Sequence, residues 1–115
     1  MTPAEAHPKS IEMDRKGHPV VMNFQQALLE RRIAEASRGD ADAAYDLGVA
    51  FSTGTSGATF DAIEAHKWFN LAAACGNEEA GAARADVAED MTAREIATAQ
   101  RAARDLLALI RRHAA

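Results

Sequence analysis

Apolar residues recur at helical spacing in five stretches of this chain. No stretch alternates apolar with polar residues over a strand length with β-branched enrichment. In the first stretch, Phe24, Ala27 and Leu28 form one stripe and Leu29, Ile33 and Ala36 its neighbour. Asn23, with Gln26 three positions on, has capping-box spacing and predicts a helix start. The helix should stop at Gly39, because glycine accepts the left-handed conformation that follows a helix C-terminus. Asp40 then caps a second helix reaching about Thr53, with Ala43, Leu47 and Ala50 or Phe51 towards the core. Gly48 lies inside that helix, where glycine costs about 0.5–1 kcal/mol relative to alanine. Its presence predicts a neighbouring helix at close range.

A loop from Gly54 to Thr59 follows, and a third helix opens between Thr59 and Asp61, where Asp61 and Glu64 again have capping-box spacing. Ala62, Ala65, Phe69 and Ala72 make one face of it, and Trp68, Leu71 and Cys75 the adjacent one. Gly76 ends it. Asn77 is the expected cap of a fourth helix carrying Ala80, Arg84, Val87 and Ala88. Thr92 and Glu95 form the clearest capping box and open a fifth helix, with Ile96, Ala99, Ala103, Leu106 and Ile110 along one side. Short turns between such helices force antiparallel neighbours.

Composition agrees with this reading. Alanine fills 28 of 115 positions and aromatics only 5%, so the helices should approach one another closely. One domain of this length buries about 65% of the surface its unfolded chain exposes. Residues 1–20 combine Pro3, Pro8, Gly17 and Pro19 with mixed charges and read as a flexible leader, leaving 21–115 as a single helical domain. The leader lacks the apolar core of a signal peptide, and no run approaches the roughly 20 apolar residues of a membrane span. A cytoplasmic protein is the expectation. The net charge of −4 argues against nucleic acid as a partner.

Gly39 and Gly76 stand 37 residues apart, each followed four positions on by alanine (Ala43 and Ala80), a period that suits one two-helix unit of a solenoid. Within it, Gly39, Ala43, Leu47–Gly48, Phe51, Gly54, Gly57, Asp61, Ala65, Trp68 and Ala72–Ala73 occur in order, with Tyr45 beside them. In that order the stretch resembles a Sel-one-like repeat, a relative of the tetratricopeptide repeat. The resemblance implies an all-α, short α/α solenoid of antiparallel helix pairs, about five helices in all. Residues 38–75 would be the well-formed repeat and 76–104 a degenerate second one. That second unit has Arg84 in place of leucine and lacks Leu-Gly, the glycine-rich turn and tryptophan. A capping helix would run to about residue 112. The resemblance further implies a non-catalytic adaptor or scaffold, often in bacterial systems. Some members are cysteine-rich and one subgroup is associated with penicillin hydrolysis; the single Cys75 sets this chain apart from them.

Residues able to carry chemistry are sparse. His7, His18, His66 and His113 show no metal-ligand spacing, and His66 reads as a helix-surface histidine. Cys75 ends an apolar face and reads as a packed thiol. Gly54-Thr55-Ser56-Gly57 lacks the Gly-Lys-Ser/Thr ending of a phosphate loop. Asp86, Glu89 and Asp90 read as a solvated acidic face. No catalytic residue, cofactor or metal is expected. In tetratricopeptide-like stacks the first helix of each pair lines the concave face, and Asp42, Asp46, Val49, Glu79, Ala83 and Asp86 would point outward there. That surface suits a basic peptide or helix. Leu106, Leu107, Leu109 and Ile110 exceed what one helix face requires. They are candidates for a homodimer contact or for packing back on the N-terminal helix, so the chain is expected to be a monomer or homodimer. The rivals to an interaction module are a small ligand-binding protein or enzyme using the Gly54–Thr59 loop with His66, and a structural oligomer built through the last helix.

Overall fold

A computed structural model describes residues 12–13, 15–17, 19–20 and 24–114. The fold is all-α, carried by α1 (Phe24–Ala36), α2 (Ala41–Thr53), α3 (Ala62–Ala74), α4 (Ala80–Ala88) and α5 (Ala93–Ala114). Two strands of two residues each, β1 (Glu12–Met13) and β2 (Pro19–Val20), pair antiparallel within the expected leader, with Glu12 opposite Val20 and Met13 opposite Pro19. A turn through Gly17, at φ +85°, brings them together. The rest of that leader, and Asn23 with its expected cap, lie outside the described residues.

Gly39 and Gly76 end α1 and α3 in the same way. Both hold positive φ, 100° and 113°, and in each case the next residue donates its N–H five positions back: Asp40 to the Glu35 carbonyl and Asn77 to that of Ala72. Asp40 caps α2, its Oδ1 accepting the Ala43 N–H at 3.0 Å. Asp61 caps α3 through the Glu64 N–H at 3.1 Å. The expected return bond from Glu64 is absent. Its carboxylate takes the Trp68 indole N–H and the Lys67 ammonium instead, both at 3.1 Å, so a buried indole donor is satisfied from within the helix. Asn77 does not cap α4. Its Oδ1 accepts the Glu79 N–H one residue before the helix, and Glu79 in the cap position supplies no side-chain bond. Thr92 and Glu95 exchange both bonds of a full capping box, at 2.8 and 3.1 Å. With this start and Arg111, Arg112 and His113 in its last turn, α5 continues to Ala114, beyond the expected residue 112.

The core is centred on α3, which packs against α2, α4 and α5, while α1 packs on α2. Leu47 and Leu71 are the largest fully enclosed side chains, joined by Trp68 and Phe69 and otherwise mainly by alanines. Tyr45 of α2 and Phe69 of α3 meet as a tilted ring pair at 5.5 Å. Gly48 is the point of closest approach, with the Phe69 ring lying over its Cα. Because α2 and α4 are both antiparallel to α3 they run in the same direction, yet they scarcely touch each other. A shallow trough is left between them.

Candidate interaction surface

The trough is tied at one end by Asn77, whose Nδ2 donates to Asp42 Oδ1 at 3.2 Å and so links the start of α2 to the turn before α4. One turn along α2, Asp46 is exposed, with Arg32 Nε of α1 at 4.0 Å. Val49 follows on the same face, also exposed. On the α4 side, Glu79 and Asp86 are exposed. Ala83 departs from expectation: it is half-buried and packs on the core, because it stands three residues after the buried Ala80, on the same face of α4.

At its far end the trough deepens into a crevice of about 540 Å³ lined by Ser52, Phe60, Ala62, Asp86, Val87, Asp90 and Glu95. Of these the expected set contained only Asp86. Phe60 is 63% exposed, a large apolar surface beside three carboxylates with no lysine or arginine in the lining. Phe60 was legible in one respect. It stands in a turn immediately before the cap Asp61, where helical periodicity gives it no core face to occupy. The Ser52 hydroxyl donates to the Val49 carbonyl at 3.0 Å and is engaged with helix backbone. The crevice therefore offers negative charge and one aromatic face.

His66 is not on the helix surface. It is only 3% exposed, and its Nδ1 lies buried without a partner. Burial first, and the nearby Arg84 charge second, lower its pKa below the ordinary 6.5, so the imidazole is held neutral. Arg84 itself donates to Asn70 Oδ1 at 2.6 Å, pinning α4 to α3. The loop paired with His66 in the rival reading is exposed from Gly54 to Gly57, and Gly57 lies against the Gln25 backbone of α1. Cys75 is half-buried, and burial pushes its thiol pKa up, partly countered by Arg111. That shift is away from a reactive thiolate. Among the described residues no three His, Cys, Asp or Glu side chains gather as a metal site, and no helix is long and apolar enough to cross a membrane.

The apolar surplus of the last helix is largely spent inside the chain. Leu106, Leu107 and Ile110 pack on the core, and Ile110 Cγ2 reaches the turn at Gly39, 3.2 Å from where a β-carbon would stand. Only Leu109, 44% exposed, remains outside. The four do not form one outward contact patch, since three of them turn towards the core and the Gly39 turn.

No family model matches the chain, nor does any curated protein or solved structure.

Proposed function

We propose that this chain is a non-catalytic protein–protein interaction module of the Sel-one-like repeat type, acting in the cytoplasm. The trough between α2 and α4 binds a basic peptide or helix. The acidic crevice at its end is the observation that carries this reading: Asp86, Asp90 and Glu95 line it with the exposed Phe60 and the half-buried Val87, without a lysine or arginine in the lining. A cationic side chain with a long aliphatic stem suits such a place, because the stem covers apolar surface while the head meets carboxylates. Aromatic faces add attraction for the same cation. Repeat-fold resemblance and the exposed carboxylates of Asp42, Asp46, Glu79 and Asp86 support this reading.

Calorimetric titration with a basic amphipathic helical peptide and an acidic peptide of equal length tests the reading. The basic peptide alone should bind, and reversal of Asp42, Asp46 and Asp86 to lysine should weaken it by about tenfold or more with unchanged helicity. Equal binding of both peptides, or full affinity in the triple variant, overturns it.

A further inference from the structure

We propose that the occupant of the acidic trough is α5 of a second copy of this chain, so that the protein associates with itself face to back; this rests on the reading of the trough given above. Charge along the sequence is strongly polarised. Residues 41–92 carry nine carboxylates against Lys67 and Arg84, whereas 93–114 carry five arginines against Glu95 and Asp105. At 100° per residue, Arg94, Arg101, Arg104, Arg111 and Arg112 fall within about one third of the helix circumference, in a stripe about 27 Å long. All five are exposed, and among the described residues none is ion-paired. Arg94, Arg101 and Arg112 lie opposite the half-buried side of α5, where Ile96, Leu106, Leu107 and Ile110 face inward, while Arg104 and Arg111 flank that side, Arg104 beside Asn70 and Ala74 of α3 and Arg111 near Cys75.

A stripe of unpaired arginines, bordered by Asp105, and a group of exposed carboxylates thus occur on one molecule. Guanidinium stems fit beside Phe60 and Val87, and the exposed Leu109 borders the stripe one turn from Arg112 as an apolar contact for the same crevice. The net charge of −4 opposes a nucleic acid or anionic membrane as the stripe's ligand, since either must approach an acidic molecule. A copy of the same chain brings its acidic face to the basic one. Because the two surfaces differ, a pair leaves one of each free, and assembly continues with concentration or closes into a ring.

Sedimentation velocity on the full chain decides the matter, with salt raised from about 50 to about 500 mM to screen exposed charge. The wild type should show concentration-dependent oligomers that salt disperses. R101E/R104E and D86K/D90K should each sediment as monomers with unchanged circular dichroism, and mixing them in equal amounts should restore association. R101Q/R104Q, which keeps helix-compatible side chains, should weaken association at least about tenfold. A wild type that is monomeric throughout, variants that assemble like the wild type, or a mixture that stays monomeric overturns the proposal. So does a monomer whose stripe instead binds labelled duplex DNA or anionic vesicles. A monomer that still binds the basic peptide removes self-association alone; a monomer that binds neither removes the trough reading as well.

Discussion

The ring of Phe69 occupies the space that a methyl group on Gly48 would fill, with Cγ 2.8 Å from that position. The two residues belong to α2 and α3, and their contact sets how closely the helices pack. Gly48→Ala gains about 0.5–1 kcal/mol of helix propensity. Against this stands an overpacking penalty of about 1–3 kcal/mol, because Phe69 is enclosed and its ring is already set against Tyr45. Urea unfolding should show a net loss of about 1 kcal/mol, and the same change in a Phe69→Leu background should be neutral or stabilising. An alanine that raises the midpoint in the wild-type background would mean that the ring can withdraw.

Helix caps differ in what they hold. Asp40, Asp61 and Thr92 each accept a backbone N–H of the first turn. Their replacement by alanine should cost about 0.5–2 kcal/mol apiece. Glu79→Ala should be close to neutral, since that side chain caps nothing. Chemical denaturation of the four variants separates these outcomes, and a Glu79 effect equal to the others would contradict the geometry.

His66 gives stability a pH slope. Its folded pKa lies below the ordinary 6.5, so near and below that pH the unfolded chain binds the proton more readily than the folded one. The stability it contributes is complete above about pH 6.5 and is lost as pH falls through the lower folded value. Unfolding free energies measured from pH 7.5 down to 5, above most carboxylate titration, should decline in the wild type. His66→Leu should flatten that decline, and Arg84→Gln should reduce it. An unchanged slope in His66→Leu would assign the effect to other groups.

Cys75 should react slowly. With the thiol half-buried and its pKa raised, modification by a chromogenic disulfide at pH 8 should be well below the rate of a free thiol such as glutathione and should rise sharply in denaturant. Native reactivity equal to that of glutathione would contradict the packing.

Much of the fold was legible because its boundaries are written locally. Gly39, Asp40, Asp61, Gly76 and Thr92 each act within five residues, and they set α2, α3 and the start of α5 close to the expected limits. Gly48 signalled a close approach, and Phe69 makes it. What sequence periodicity could not supply was how many sides of a helix are covered. His66 looked like a surface residue, yet α3 is flanked by three helices and keeps little solvent face. The same holds for Leu106, Leu107 and Ile110, whose surplus is absorbed by the reach of a 22-residue helix back to the Gly39 turn. The crevice around Phe60 joins four segments, and no spacing along the chain announces such a meeting.

The two walls of the trough have unequal rigidity. α2 is capped at its start and buries five residues, whereas α4 has nine residues, one of them buried, and no side-chain cap. A helix that short does not persist alone in water, so α4 depends on its attachment to α3. Its amides should therefore exchange with solvent well before those of α2 and α3. Any occupant closes a seat with one fixed jaw and one yielding jaw, and the ordering of α4 sets an entropic charge on its affinity.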